Sequence, residues 1–301
     1  MLAGLAVACF TTLDRSDWRE SRAGRAAAAS LEVWAGPGEL VRGDLRAGFG
    51  RSRLSPVLGA EVDDGAAGRF TSLPLAGYGN REGRPATGVA DDLWARAVAL
   101  HTGGGTGVVV SADLLIIPRE VAEEAARRIR EATGVARDQV YFGATHTHAG
   151  LGGWGEGIVA EMFAGPFRPP VRDWMSQQLA EAAVGAIRDL SPAVTGSGSF
   201  DAGEWVRNRL VGERGRLDGR FRLVALRQAD GDLGVLGSYA AHSTVLPSSW
   251  MEYSGDYPGA WARALEGSGV ACAVFLAGAV GSHSPRPPVG GVDGAWKMGE
   301  V

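Results

Sequence analysis

The amino-acid sequence predicts an α/β fold, a sandwich in which helices pack against a mixed β-sheet. Apolar, β-branched runs typical of buried strands alternate along the chain with segments of helical period. An Asp-Gly turn between two strand-like runs near residue 230 adds a predicted hairpin to that sheet. The 301 residues, of which 45% are hydrophobic, are enough for one large domain or two ordinary ones. We see no repeat and no low-complexity linker, and predict one domain after an N-terminal segment.

The first part of the alternation lies between residues 107 and 148. The apolar run "GVVVSADLLII" (107–117) predicts a buried strand. The segment 118–134 begins with proline and ends with glycine, the usual order for a helix. The run "VYFGATHTH" (140–148) is strand-like again, whereas the glycine-rich residues 31–90 predict irregular structure.

The second part contains two more helices. Residues 171–190 repeat apolar side chains at helical spacing, and residues 256–269 form a shorter segment with proline in the first turn. Residues 220–242 predict two strands around the Asp-Gly turn. "VACAVFLAG" (270–278) predicts a buried strand, followed by a loop, "GAVGSHSPRPP".

Charge and cysteine content exclude several classes of protein. The net charge of -4 and the pI of about 5.8 do not suggest a basic surface for nucleic acid, so no nucleic-acid partner is expected. Cys9 and Cys272 lack CxxC partners, and we expect two buried or incidental thiols rather than a disulfide framework.

The first ten residues, "MLAGLAVACF", are apolar but too few to span a bilayer, which needs roughly 20 residues. They also lack the basic region that opens a signal peptide. Two interpretations remain open: the remnant of a longer export or anchor segment, or a frayed apolar terminus. We therefore separate residues 1–30, an apolar segment and linker, from a domain at 31–301.

The stretch "GATHTHAGLGG" (143–153) contains two of only five histidines. Alternate residues of a strand share a face, so His146 and His148 are predicted to project together at the strand's C-terminal end. Such a pair can bind a metal, can divide metal and substrate binding between them, or can be a hydrogen-bonded structural pair. The glycines that follow allow the backbone to bend closely past a ligand.

His242 and His283 also follow predicted strands, so four of the five histidines lie in loops that could converge. Convergence from separate strands is typical of metal and catalytic sites. His101, before "TGGGTG", is interpreted as a turn residue, and Ser284 as a hydroxyl in a tight loop flanked by glycine and proline.

Two aspartates have open interpretations. Asp113 follows "VVVSA" and either orients a ligand histidine or caps the following turn. Asp256 is predicted to cap the helix that begins there, with a role in the site as the alternative.

A series of stretches resembles, in order, signature blocks of the neutral/alkaline (non-lysosomal) ceramidase family. "GATHTHAGLGG" is similar to that family's "THTHSGPGG". The others are "LRAGFGRSRLSP" (45–56) for "AGxGxxDITP", the block 76–100 with "VVVSADLL" (108–115), "VRNR" (206–209) for "NRSP", "YAAHSTVL" (239–246) for "FAxHPT", "SGDYPG" (254–259) for "SGDNxG", and "AGAVGSHSPR" (277–286) for "xSNxGDVSPN".

The resemblance implies a mixed-sheet α/β sandwich of the neutral ceramidase catalytic-domain type, built around one Zn2+, at residues 31–301. The implied reaction is hydrolysis of the amide of N-acylsphingosine to sphingosine and fatty acid. It implies a lipid substrate, a membrane surface as partner, and a secreted, periplasmic or membrane-associated protein. The family's glutamate and tyrosine zinc ligands would follow Val301, so we expect a domain incomplete at its C-terminus.

The resemblance also assigns roles to single residues. His146 and His242 match the family's histidine ligands of zinc, and His148 matches a histidine on the substrate side. Arg209 matches an arginine needed near the site, and Ser284 matches the proposed nucleophile.

The matches depart from the family in the loop of Ser284, where Ser282 replaces aspartate and Arg286 replaces asparagine. The residues "AGL" after the two histidines also differ from the family's "SGP", and "SGDY" differs from its "SGDN". Hydrolysis of another N-acyl amide or of a phosphate or sulfate ester, and a non-catalytic homologue, therefore stay open as alternatives.

Overall fold

The computed structural model describes residues 17–34 and 43–300 of the chain. The chain divides into two compact units, Met1–Arg42 and Gly43–Val301. In the first unit the described part carries a 3-10 turn, Trp18–Glu20, and one α-helix, α1 (Arg22–Trp34), and the predicted boundary after residue 30 falls inside this helix. The apolar residues 1–10, Cys9 and the stretch 35–42 lie outside the described residues. In the described part, no helix combines the length and the apolar character needed to cross a bilayer.

The second unit contains the mixed α/β elements that the sequence predicts. Its helices are α2 (Arg119–Thr133), α3 (Ile158–Ala164), α4 (Pro169–Arg188), α5 (Asp256–Gly267) and α6 (Gly291–Gly299). Its strands are β1 (Arg46–Arg53), β2 (Val57–Leu58), β3 (Arg69–Phe70), β4 (Gly88–Val89), β5 (Trp94–Thr102), β6 (Gly105–Ala112), β7 (Val140–Ala144), β8 (Ser191–Asp201), β9 (Val206–Asn208), β10 (Arg220–Gln228), β11 (Leu233–Tyr239), β12 (Glu252–Tyr253), β13 (Cys272–Ala277) and β14 (His283–Pro285).

Eight strands form one sheet in the order β13-β11-β10-β8-β1-β5-β6-β7. The pairs β11–β13 and β6–β7 are parallel and the others antiparallel, which confirms the predicted mixed sheet. The sheet bends so that its two halves face each other: Phe49 and Val98 pack with Leu226 and Val274 between them. Helix α4 packs on β1, β5 and β6 with α2 beside it, and α5 packs on β13 with α6 beside it.

Most of the predicted helices and strands are confirmed. The helix predicted at 118–134 is α2, and Gly134 ends it in the left-handed conformation with φ 79°. The hairpin β10–β11 turns at Gly231, where φ is 108°. The helices predicted at 171–190 and 256–269 are α4 and α5, and the strand predicted at 270–278 is β13.

The prediction of irregular structure for residues 31–90 is wrong for β1, a central strand of the sheet. Its glycines lower β propensity, but they are the residues that let α4 approach. A Cβ on Gly48 would lie 2.1 Å from the Ala186 carbonyl oxygen, and one on Gly50 would lie 2.2 Å from that of Ala182. The glycine- and serine-rich β8 was missed for the same reason, because its propensity is low.

The strands predicted at 107–117 and 140–148 end early, at Ala112 and Ala144. His146 has a φ of 64°, which no strand residue adopts. The argument that alternate strand residues point His146 and His148 to one face is therefore wrong, because both residues lie in the loop after β7.

Candidate functional site

Three histidines meet beyond the C-terminal ends of two strands. His146 and His148 follow β7, and His242 follows β11. One ring nitrogen of each lies within 4.8 Å of the others, and the ring centroids are 4.5 to 5.2 Å apart. We call these three residues the histidine cluster. The expected convergence thus occurs for three of the four histidines that follow predicted strands.

His283 points elsewhere. Its Nε2 accepts a hydrogen bond from the Asp218 amide at 2.9 Å, and its Nδ1 lies 2.8 Å from the Ser282 hydroxyl. Its carbonyl accepts the His242 amide at 3.1 Å, so the residue supports the cluster through its backbone.

Backbone strain and close packing shape the loop of His146 and His148. A positive φ costs a non-glycine residue of order 1 kcal/mol or more, and such residues concentrate at functional sites. At φ 64°, His146 turns back so that its Nδ1 lies 2.8 Å from the Leu115 carbonyl oxygen. Gly77, with φ 116°, packs against His148, where a Cβ would lie 2.6 Å from the ring. The backbone thus packs closely against both imidazole rings.

The hydrogen bonds fix the roles of the ring nitrogens. With Nδ1–H donated to Leu115 in His146 and to Val280 in His242, each at 2.8 Å, Nε2 of both rings keeps a free lone pair. This is the arrangement of metal-ligating histidines, whose second nitrogen is held by a carbonyl.

His148 supplies the test of whether a cation fits the cluster. Its Nε2 lies 2.9 Å from Nε2 of His242, and its Nδ1 is buried with no hydrogen-bond partner among the described residues. If Nε2 of His148 carries the proton, its buried Nδ1 lone pair has no partner. If Nδ1 carries it, two lone pairs face each other at 2.9 Å. A cation bound to Nε2 of His242 engages one of the two facing lone pairs and removes that repulsion, so the donor set fits a metal ion.

The cluster is held neutral. Burial lowers the pKa of His148 to about 3 and that of His242 to about 4, and the charges of neighbouring histidines act in the same direction. Burial also lowers the pKa of His146. Neutral imidazoles are the form that binds metal ions.

Arg209 lies close enough that its charge lowers the pKa of all three histidines. Its Nε donates to the Gly281 carbonyl and its amide to the Ser282 carbonyl, each at 2.9 Å. The loop at 279–283 therefore supports both Arg209 and His242.

Ser284 lies on β14, which pairs with β9. Its Oγ accepts a hydrogen bond from Arg207 Nε at 3.2 Å, and the side chain is half-buried. Because the carbonyl of the preceding His283 bonds the His242 amide, the Ser284 backbone is tied to the cluster.

Neither interpretation of Asp113 holds. Its carboxylate accepts from the Trp94 amide at 3.0 Å and from Arg96 at 3.1 Å, and it is fully buried. It belongs to an ion-pair network rather than to a histidine or a turn. Asp256 is not the helix cap, which is Gly255; its Oδ2 instead accepts the Leu246 amide at 3.0 Å, fastening the loop after His242.

Sequence reasoning assigned no role to Tyr78 and Arg81, although both lie in the quoted block 76–100. The Tyr78 ring is 4.7 Å from the His148 ring, and Arg81 donates to the His148 carbonyl. The signal was the resemblance of the whole block, which names no single residue.

An apolar groove adjoins the cluster. It has a volume of about 770 Å³. It is lined chiefly by Leu115, Ile116, Trp154 and side chains of α3. Leu115 is the residue whose carbonyl holds His146, so the groove begins at the cluster's edge.

Comparison with known proteins places the chain in a family. The profile described as neutral/alkaline non-lysosomal ceramidase, N-terminal, matches residues 57–274. A neutral ceramidase of Mycobacterium tuberculosis (strain ATCC 25618 / H37Rv) is 25% identical over 223 residues, which are 67% of this chain and 35% of the relative.

Two solved structures share the fold. The crystal structure of neutral ceramidase from Pseudomonas aeruginosa has a TM-score of 0.73 at 22% identity, over 85% of this chain and 43% of that one. A structure described as ceramidase complexed with C2 has a TM-score of 0.74 at 21% identity, over 85% and 42%. The chain thus spans about a third of the curated relative and less than half of the solved chains. Since the profile covers most of the sequence and the sandwich is shared, the chain belongs to the neutral/alkaline non-lysosomal ceramidase family.

Proposed function

We propose that the protein is a zinc-dependent amidohydrolase that cleaves the N-acyl amide of a ceramide-like lipid into a fatty acid and a long-chain base. The observation that carries the proposal is the histidine cluster, in which one ring nitrogen of each of three neutral imidazoles lies within 4.8 Å of the others. Membership of the ceramidase family supports the reaction.

His146 and His242 would hold the zinc ion through Nε2, since carbonyls fix their Nδ1 atoms. Zinc supplies Lewis acidity, which polarises an amide carbonyl and eases deprotonation of a hydroxyl. Within the described residues the histidines are joined by no carboxylate in this group. That donor set supports an amidohydrolase better than a paired-metal phosphate or sulfate ester hydrolase, which needs more carboxylate ligands.

The remaining residues would act on the substrate. Arg207 donates to Ser284 Oγ, which leaves the hydroxyl proton free to pass to a base as Oγ attacks the carbonyl carbon. The amine would leave with a proton, and water would hydrolyse the resulting ester. His148 would face the substrate, and the positive charge of Arg209 would favour the developing oxyanion.

The groove and α3 support a lipid substrate presented at a membrane surface. Side chains of α3 are unusually exposed for apolar residues: Ile158 is 82% exposed, Val159 72% and Met162 59%. Exposed apolar patches next to a cleft are typical of membrane or ligand contact. A secreted, periplasmic or membrane-associated location follows from this proposal.

The test is to measure bound zinc and hydrolysis of a fluorescent N-acylsphingosine by the purified chain, beside a fluorescent phosphate ester. Stoichiometric zinc with amide cleavage is expected. Zinc with cleavage of the phosphate ester alone, or a folded protein that neither binds zinc nor cleaves the amide, contradicts the proposal. The second result would indicate a non-catalytic homologue.

A further inference from the structure

Arg81 is the largest side chain that is fully buried in the described structure, with 1% of its surface exposed. It donates four hydrogen bonds, to the carbonyl oxygens of Ala76, His148, Ser248 and Trp250. All four partners are backbone carbonyls rather than a carboxylate. A cation buried in this way is costly, and its hydrogen bonds to several carbonyls are what offset the cost.

The four carbonyls belong to three chain segments. Ala76 lies in the loop before Arg81, His148 in the loop after β7, and Ser248 and Trp250 in the loop that follows His242. Arg81 therefore ties together the loops that carry all three histidines. Only a planar fork of N–H groups reaches acceptors in so many directions, so lysine cannot replace it.

The segment around Arg81 also fits the His148 ring itself. The Tyr78 ring lies 4.7 Å from the His148 ring, and the Arg81 guanidinium lies 4.7 Å from the Tyr78 ring. The Tyr78 hydroxyl donates to the Leu246 carbonyl at 2.8 Å, which adds a second tie to the loop after His242. Gly77 leaves no room for a side chain beside that ring.

We infer that Arg81 is a positioning residue, which holds the backbone of His148 and thereby sets the geometry of the histidine cluster. The inference rests on the proposed function in treating that cluster as a metal site. Outer residues that orient metal ligands typically contribute 10- to 100-fold to metal affinity.

The experiment uses the 301-residue chain and Co2+ alone as the probe, because its visible spectrum reports ligand geometry. Arg81→Met keeps the apolar stem and removes all four hydrogen bonds. We expect a folded protein by circular dichroism, an altered Co2+ spectrum and about 10- to 100-fold weaker Co2+ binding. Amides 145–150 of the metal-free variant should exchange hydrogen faster than in the wild type.

Arg172→Met is the matched control. Arg172 also donates to a backbone carbonyl, that of Trp154 at 2.7 Å, and its guanidinium also lies over an aromatic ring, Phe167 at 4.5 Å. Trp154 lies later in the loop after β7, beyond the histidines, and Arg172 does not bond the backbone of His146 or His148. The Co2+ spectrum and the exchange of amides 145–150 should therefore stay as in the wild type.

The outcomes separate this inference from the proposed function. If the wild type binds no Co2+, the proposal that the histidine cluster is a metal site is wrong. The exchange of amides 145–150 alone then decides whether Arg81 positions the His148 backbone. The inference is overturned if Arg81→Met folds and its amides 145–150 exchange at the wild-type rate. Where the wild type binds Co2+, unchanged Co2+ binding by the variant must accompany that result. Should Arg81→Met not fold, Arg81→Lys decides by the same measurements. Failure of both to fold also overturns it, because Arg81 would then be required for the whole unit.

Discussion

At the scale of single residues, the site is built from histidines whose tautomers are set by backbone carbonyls. Leu115 and Val280 accept the Nδ1–H groups of His146 and His242, and neither acceptor depends on its own side chain. This explains why sequence motifs identified the histidines and could not identify what orients them. The hydroxyl of Ser284 accepts a hydrogen bond from Arg207 on the paired strand β9, and no contact in the described structure joins it to the histidines, so its role needs a chemical test.

Replacing Ser284 and His146 separates a nucleophile from a ligand. Ser284→Ala should keep zinc and the fold but lose amide hydrolysis by a factor of about a thousand or more, because covalent attack is gone. His146→Ala should lose zinc together with activity. Zinc content and turnover of a fluorescent N-acyl substrate are measured for both. Near-normal turnover by Ser284→Ala would make the serine a structural loop residue.

At the scale of helices and strands, the close approach of β1 to α4 decides how the sheet is covered. Gly48 and Gly50 bring the strand backbone against helix carbonyls, a contact that any side chain would block. In a second case, Asp256 begins α5 with φ 54° and its carboxylate accepts the Leu246 amide, which fastens the loop after His242. In both cases the contact is made to backbone groups, the helix carbonyls in the first and the Leu246 amide in the second.

Gly48→Ala should destabilise the protein by about 2–4 kcal/mol, because the new methyl group overlaps the Ala186 carbonyl and α4 must shift. Gly196→Ala on β8 is the matched control, since nothing lies within 4 Å of a Cβ there. Its effect should stay within about 0.5 kcal/mol. Urea unfolding measures both, and equal effects would contradict the packing argument.

Asp256 should make stability depend on pH. Burial raises its pKa from 3.8 to about 6, so the folded state binds the proton more tightly than the unfolded state. Its contribution to the free energy of unfolding is therefore greatest below about pH 4 and declines as the pH rises to about 6, by about 3 kcal/mol in all.

Asp256→Asn removes this ionisation, although it also loses one acceptor of backbone N–H groups. Its unfolding free energy relative to the wild type should rise between pH 4 and pH 7. The lowered pKa values of the three histidines make stability rise with pH instead. Because both proteins contain these histidines, that effect cancels in the difference between their unfolding free energies. A difference independent of pH would show that Asp256 titrates normally.

At the scale of the whole molecule, a buried ion-pair network joins the layers of the sandwich. Arg96 on β5 contacts Asp113 after β6 at 3.1 Å and Glu266 on α5 at 2.8 Å. All three side chains are at least nine-tenths buried. The network links a strand of one half-sheet to the helix that covers the other.

Arg96→Met should destabilise the protein by about 3–5 kcal/mol, because the buried carboxylate of Asp113 loses its cation and Glu266 is left with the partly exposed Arg51. Arg127→Met, which breaks exposed pairs with Glu124 and Glu131 on α2, should change the free energy of unfolding far less, because water and salt screen those pairs. Chemical denaturation of both variants is the measurement. Comparable losses would mean that the network does not bridge the layers.

The sequence by itself determined the helices bounded by proline and glycine, the hairpin at Gly231, and the two histidines after β7, because these signals are local. It also predicted that loops after separate strands would meet, and His242 joins His146 and His148 as expected. The tertiary structure alone decided that glycine-rich β1 is a central strand and that His283 points away. It also brought the Arg81 guanidinium to the backbone carbonyl of His148. The physical reason is the same in each case: these outcomes depend on which backbone groups lie opposite, and residues distant in sequence supply those groups.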